Sequence, residues 1–366
     1  MRKELLTLGL LLCYMVTSAQ EQKVTLSGSI QSDMMIAPQQ DASIGTSKYD
    51  NEYFLTNTYA NLNLQSKWVD AGARFELTQW PMPGFMDEHN DFKGWGFPNV
   101  WVKGKLGKVD VTLGNFYEQF GSGFILRSYE ERSLGIDNSL LGAHIAASPL
   151  KGVTLKVLSG MQRNYWVLNK GAVSGADIEI GLDNYFPRMQ ENGVILAMGG
   201  SWVNKYEKDD DFIMASPTFR LRLPEFTNAF DARMRYQQKG ISLLAEYAWK
   251  SQDPNTLNNF IYQNGHAELF SMTYSVKGLS ILAQAKRSEN MGFRSKRTDH
   301  PSSKASYINH LPAFTVDQTY ALPALYPYAT QMEGEWAYQA SAAYKFKGRH
   351  APKAKINFSR VNGPEN

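Results

Sequence analysis

Hydrophobic and polar positions alternate along most of this chain with a period of two. Ala71, Ala73, Phe75 and Leu77 interleave with Gly72, Arg74, Glu76 and Thr78. Phe230, Ala232, Met234 and Tyr236 interleave with Asp231, Arg233 and Arg235. Ile241, Leu243, Ala245, Tyr247 and Trp249 do so with Ser242, Glu246 and Lys250. Trp336, Tyr338, Ala340, Ala342, Tyr344 and Phe346 do so with Gln339, Ser341 and Lys345. Side chains two apart share a face of a strand, so each segment has an apolar and a polar face. The pattern predicts fifteen strands, near 23–35, 53–65, 71–80, 99–106, 109–115, 139–148, 153–163, 175–186, 194–206, 227–237, 241–251, 264–276, 279–290, 333–346 and 354–361.

The connections between these strands alternate in length. The long set is 36–52, 81–98, 116–138, 164–174, 207–226, 252–263 and 291–332; the short set is 66–70, 107–108, 149–152, 187–193, 238–240, 277–278 and 347–353. Alternating segments joined by long loops on one side and tight turns on the other are the signature of an outer-membrane barrel. The expected fold class is therefore all-β, a transmembrane antiparallel up-and-down β-barrel with about 14–16 strands visible. The soluble alternative is a secreted β-sandwich or propeller. Sandwich strands are usually shorter than these segments of about ten residues, a length that suits a tilted strand crossing a bilayer. An odd strand count would leave an unpaired edge in lipid, and bacterial single-chain barrels have even counts. The chain also stops on Val361-Asn362-Gly363-Pro364-Glu365-Asn366, which reads as the start of a loop. The expectation is a C-terminally incomplete barrel or a miscounted strand.

Composition sharpens this picture. Aromatic residues make up 13% of the 366 residues and need a location. Trp80, Trp95, Trp101, Tyr165, Trp166, Tyr185, Phe186, Trp202, Tyr206, Trp249 and Trp336 cluster at predicted strand ends, which suits girdles at two membrane interfaces. A mean hydropathy of −0.39 excludes a polytopic helical membrane protein. The formal charge of +3 provides no global basic field, so nucleic acid is not an expected partner. Arg2 and Lys3 precede an apolar run from Leu5 to Val16, and Thr17-Ser18-Ala19 offers small residues for cleavage. Residues 1–19 thus read as a secretory signal peptide, and 20–366 as one barrel domain. A lipoprotein signal at Cys13 is the weaker alternative, because Leu12 before it is large. The single Cys excludes a disulfide scaffold and a Cys-based zinc site.

A denser segment runs Gly114-Asn115-Phe116-Tyr117-Glu118-Gln119-Phe120-Gly121-Ser122-Gly123-Phe124-Ile125-Leu126-Arg127 and on through Ser128-Tyr129-Glu130-Glu131-Arg132, Leu134-Gly135-Ile136-Asp137-Asn138 and Gly142. With the leader and the strand pattern, it resembles DUF6029, an uncharacterised family of outer-membrane barrels. The resemblance implies a Bacteroidota source and a longer chain. It carries no mechanism and no functional residue.

Candidate chemistry lies in the polar positions. In 116–138, Glu118, Glu130, Glu131 and Asp137 oppose Arg127 and Arg132. If the segment folds into the lumen, such charges would set a transverse field at a constriction. The bland alternative is an ion-pair cluster that pins a loop to the wall. Asp177, Glu179 and Asp183 on one strand, with Arg233 and Arg235 two strands on, point to a polarised lumen. His144 and Ser148 share a strand face but lie roughly 13 Å apart by strand rise, too far for a nucleophile and its base. Asp87-Glu88-His89 with Asp91, and Asp209-Asp210-Asp211, lack an EF-hand spacing or a second His at i+4, so no metal is assigned. No phosphate-binding loop and no GxSxG is present, and neither an enzyme nor a cofactor is expected. Loop 291–332 carries Arg294, Lys296, Arg297, His300 and Lys304 and then an apolar-aromatic run, fitting either a surface for a protein partner or a lid. The function expected first is a porin-like channel for small solutes, in contact with outer-membrane lipid. The second is a closed barrel that acts as a scaffold or binds through its long loops.

Overall fold

The computed structural model describes residues 24–36, 54–82, 93–210, 213–301, 303, 305–316, 328–348 and 351–364. The leader at 1–19, the acidic run 87–91, Asp211 and the aromatic run around Tyr320, Leu325 and Tyr326 lie outside them. Among the described residues the chain is all-β, with fifteen long strands, each antiparallel to the partners recorded for it. They are β1 (Thr25–Ile36), β2 (Phe54–Gln65), β3 (Val69–Trp80), β4 (Gly94–Leu106), β5 (Val109–Phe116), β6 (Leu140–Ala147), β7 (Val153–Asn164) and β8 (Val167–Gly181). Then follow β9 (Ile195–Tyr206), β10 (Phe226–Gln238), β11 (Ile241–Lys250), β12 (Gly265–Val276), β13 (Leu279–Glu289), β14 (Gly334–Lys345) and β15 (Lys353–Asn362). The predicted number and up-and-down order are those observed.

Two compact units divide the described residues, one up to Asn115 and one from Phe116 onwards. In the first, β1 pairs with β2, β2 with β3, β3 with β4 and β4 with β5. One face buries an Arg74–Glu76 ion pair at 2.6 Å, and Thr78 donates to Asn57. The other exposes Leu62, Trp95, Phe97 and Leu113.

In the second unit each strand from β6 to β15 pairs with its successor in the chain. Register settles which side chains share a face. One face carries the cross-strand rows Asp177–Ser201–Asp231–Ala248–Ala267 and Glu179–Gly199–Arg233–Glu246–Leu269. The opposite face carries Met198–Met234–Ala245–Phe270 and Trp202–Phe230–Trp249. On that face Val157, Met198, Phe230, Tyr247, Phe270, Ile356 and Phe358 are all exposed, Ile356 to 73%.

Among the connections that differ from expectation are the two flanking β8. Segment 164–174 is not a loop: β7 and β8 continue as a hairpin through Tyr165 and Trp166 alone, with Tyr165 at φ 55. A bulge between Met161 and Arg163 shifts the register there, and the small residues Gly171 and Ala172 hide the alternation in the sequence. Within the predicted short turn 187–193, Pro187 at the first helical position starts a one-turn helix, Pro187–Glu191.

β6 and β7 approach closely because Gly142 stands opposite Gly160. A Cβ on Gly142 would lie 2.0 Å from the Ser159 carbonyl oxygen. Gly142→Ala is therefore expected to destabilise by roughly 1–3 kcal/mol through overpacking. An ordinary Gly→Ala change at a compatible site stabilises instead. The urea midpoint of the detergent-solubilised chain should fall; an unchanged midpoint would contradict the contact.

Candidate functional site

Segment 117–139 folds as two small hairpins. Gln119–Phe120 pairs with Leu126–Arg127, and Glu130–Glu131 pairs with Ile136–Asp137 around a 3-10 turn, Arg132–Leu134. The first hairpin buries Phe120, Phe124, Ile125 and Leu126 to 1% exposure or less. They join one apolar cluster with Leu158, Val173, Val203, Ala229, Ala248 and Ala267 of the sheet, and with Met291, Phe293, Ile308, Leu311 and Phe314 of the later loop. The sheet contributes mostly Ala and Val here, and that small size leaves room for the aromatic side chains of the loops.

Backbone and amide bonds lace the two loops together. Arg127 N donates to Ile308 O at 2.8 Å, and His310 N to Gly123 O at 2.9 Å. Asn309 Nδ2 donates to Phe124 O and to Met291 O. Asn138 Nδ2 and Gln162 Nε2 both donate to Tyr307 O. Together, 117–139 and 291–316 form a plug on one face of the second unit.

Three fully buried lysines from the strands hold this plug. Lys205 of β9 reaches Asp253 at 2.6 Å and Glu207 at 3.3 Å. Lys250 of β11 donates to Gly292 O at 2.7 Å. Lys286 of β13 donates to Pro312 O at 2.5 Å and pairs with Glu335 at 2.8 Å. The ammonium groups of Lys205 and Lys250 both lie within 5.9 Å of the Phe293 ring centroid, a cation–π arrangement strengthened by desolvation. Burial alone would raise the Asp253 carboxyl; the charges of Lys205 and Lys250 overcome this and lower it. Within the later loop, Arg294 donates to the carbonyls of Asp299, His300, Pro301 and Ser303 and to Thr256 Oγ1.

The ten predicted charged positions fall into separate groups. Glu118 meets His144 at 2.9 Å and Lys156 at 2.8 Å, both on the sheet. Glu130 pairs with Arg132 inside its own hairpin at 2.6 Å, and Glu131 caps the 3-10 turn through Ser133 N. Asp137 pairs with Arg163 of β7 at 2.5 Å. Arg127 lies 4.9 Å from the Tyr129 ring. Glu118 and Asp137 thus meet bases of the sheet and Glu130 a base of its own hairpin, not an opposing row. Below the plug tip, Arg233 gathers Asp177 at 2.7 Å, Asp231 at 2.9 Å and Glu179 at 3.2 Å, while Arg235 reaches Glu179 at 3.4 Å. Gly199 leaves the space: a Cβ there would lie 2.6 Å from the Arg233 guanidinium carbon. The tip itself docks beside this group, with Ser122 N and Oγ donating to Glu246 at 3.0 and 2.6 Å.

Burial pushes the Glu118 carboxyl up, but hydrogen bonds from His144, Lys156 and the Gln119 N–H outweigh it and bring its pKa from 4.5 to about 2. The ionised form therefore stabilises the fold above the unfolded value, and the contribution disappears as pH falls towards 2. Glu118→Gln is expected to flatten the acid limb of the stability profile below about pH 4.5. Equal acid slopes for wild type and variant would contradict this.

The sequence offered 291–332 as a partner surface or a lid, but not its packing against 117–139. Its signal was the placement of lysines near the loop-side ends of β9, β11 and β13, on the polar face. Among the described residues no group of three or more metal-ligating side chains is present. Nor is any helix long and apolar enough to cross a membrane.

The family model of unknown function DUF6029 matches residues 1–365. The chain belongs to the DUF6029 family. Nothing matches among curated proteins. Among solved structures, it is similar to OprB of Pseudomonas putida, with 10% identity, 94% of this chain and 90% of that one covered, and a TM-score of 0.46. It is also similar to OmpF of Salmonella typhi, solved as a complex with daunomycin (10% identity, 94% and 92% covered, TM-score 0.44). A BenF-like porin from Pseudomonas fluorescens is similar at 11% identity, with 94% of each chain covered and a TM-score of 0.39.

Proposed function

We propose that this DUF6029 protein is a porin-like outer-membrane barrel whose loops 117–139 and 291–316 fold inward as a plug, restricting passage to small polar solutes. One observation carries the membrane reading. The face of the second unit opposite the plug is apolar on successive strands and exposed, with Val157 at 52%, Met198 at 50%, Phe270 at 48% and Phe358 at 61%. Monomeric soluble proteins rarely present a contiguous apolar surface of this extent, whereas a lipid-facing band requires one. The plug face provides the polar half of the alternation, with Arg233, Asp177, Glu246 and Lys205 all buried. In this reading the ion pairs of Glu118 and Asp137 pin the first hairpin to the wall, and Glu179 with Arg235 borders the solvated space beneath it.

The closed-barrel reading, in which the outer loops bind a partner, has its own support: Phe120, Phe124, Leu126 and Phe293 of the apolar cluster are each at most 1% exposed, so the plug is tightly packed there. Conductance in planar bilayers distinguishes the two. A restrictive porin shows small, discrete, salt-dependent steps that grow when the plug is loosened by Arg294→Ala. A folded barrel silent in both forms is a closed scaffold. Large steps from the wild type, of the size of an open pore, would overturn the plug.

A further inference from the structure

A cavity of about 620 Å³ lies at the loop-side ends of β12–β14. Asn258, Asn259 and Gln263 of the 252–263 loop line it with Arg287, Glu289 and Asn290 of the β13 end, and Glu333 and Trp336 close it. Its volume is in the usual range for a small-molecule site.

Hydrogen bonds and ring contacts tie the walls together. Asn258 Nδ2 donates to Asn290 Oδ1 at 2.8 Å, and Asn290 Nδ2 to Gln263 O at 2.6 Å. Gln263 Nε2 donates to Glu289 Oε1 at 2.9 Å. Trp336 stacks on Tyr338 with ring centroids 5.8 Å apart and an interplanar angle of 6°. On the Trp336 ring, 5.4 Å from its centroid, lies the Arg287 guanidinium, which also meets Glu289 at 3.5 Å.

The backbone here is strained. Asn259, Phe260 and Asn290 have φ of 52°, 59° and 48°. Asn tolerates the left-handed region, but Phe there is strained, and such strain concentrates at binding sites. The strained turn projects the Asn259 amide to the rim. Asn259 and Glu333 are exposed, and neither side chain has a hydrogen bond or ion pair among the described residues.

We infer that this cavity binds a saccharide. Amide and carboxylate groups set side by side supply donors and acceptors for neighbouring hydroxyls. The Trp336 indole, which lines the cavity beside its Tyr338 and Arg287 contacts, adds an apolar ring edge for the C–H side of a sugar. Arg287 is already balanced by Glu289, and Glu333 adds a negative charge, so the fitting ligand is a neutral or N-acetylated sugar, not a uronate. The same chemistry is available from a free glycan and from the sugar headgroup of a glycolipid.

The test is calorimetric titration of the full chain in detergent with maltose, with N,N′-diacetylchitobiose and with lipopolysaccharide. Wild type binds at least one of these in the millimolar range or tighter. Trp336→Ala and Asn259→Gly weaken that binding at least tenfold, while Trp336→Phe stays within threefold. Gly retains the left-handed turn and deletes only the amide, so Asn259→Gly serves even if Trp336→Ala fails to fold. Binding of a free disaccharide identifies a soluble glycan site; binding of lipopolysaccharide alone identifies a headgroup site. No binding of any probe by the wild type, or binding unaltered in both Asn259→Gly and Trp336→Ala, overturns the inference.

Discussion

Alanine in place of Arg294 is expected to release residues 294–307 from the plug and to raise the bilayer conductance. The guanidinium has no exposed surface and makes five hydrogen bonds, four of them to carbonyls of the turn Asp299–Ser303. It also lies 4.6 Å from the Tyr307 ring. Deleting it strips donors from several carbonyls at once, with the Ser303 end buried, at a cost of roughly 3–5 kcal/mol. Most of that falls on local opening, because the sheet ladders are untouched. Amide exchange over 294–310 should accelerate while exchange in β9–β13 stays slow. Arg294→Lys should lose most of the protection as well, since an ammonium cannot reproduce the planar fork. Unaltered exchange in Arg294→Ala would show that the turn is held by something else.

Arg233→Ala is the second large effect, and it acts on the whole second unit. Asp177 and Asp231 are each only 6% exposed, and Arg233 contacts both, as well as Glu179 and Ser201 Oγ. Removing Arg233 leaves the buried Asp177 and Asp231 carboxylates uncompensated, which typically costs about 3–5 kcal/mol. The urea midpoint of the detergent-solubilised chain should drop accordingly. Adding Asp177→Asn to the same chain removes one orphaned charge and should restore part of the loss. A midpoint close to wild type for Arg233→Ala would mean that the cluster is hydrated and not a packed wall element.

The fifteen strands were legible because the exposed apolar face and the plug-covered face make opposite demands on neighbouring residues, and that conflict repeats every second position. Met198, Trp202, Phe230 and Met234 against Ser201, Val203, Asp231 and Arg233 display it directly. Legibility failed where one demand was weak. At 164–174 the β7–β8 hairpin rises past the main sheet, and Gly171 with Ala172 gives no strong alternation. The loop at 116–138 was recognisable as chemically dense, and its Phe120, Phe124, Ile125 and Leu126 supply the apolar side chains that pack on Leu158, Val173 and Val203 of the sheet. The Glu130–Arg132 pair was among the opposed charges of the segment, but the partners on the sheet were not legible. Lys156 and Arg163 lie on β7, and nothing local to Glu118 or Asp137 announces them. The same holds for Lys205, Lys250 and Lys286, whose contacts at Phe293, Gly292 and Pro312 of the second loop lie far off in sequence or on another element.

Inward folding of the plug is tested most directly by one crosslink. Ser122 at the tip and Glu246 on β11 are joined by hydrogen bonds, and the chain's single Cys lies at position 13. In a chain carrying both Ser122→Cys and Glu246→Cys, a short bismaleimide applied to the outer-membrane fraction should join the two introduced thiols in most molecules and alter mobility on gels. Crosslinking should leave the conductance of that double variant unchanged, because its plug already rests against β11. Ready labelling of the thiol at position 122 by a membrane-impermeant maleimide from outside the cell, with no crosslink to position 246, would contradict the plug and return loop 117–139 to the surface.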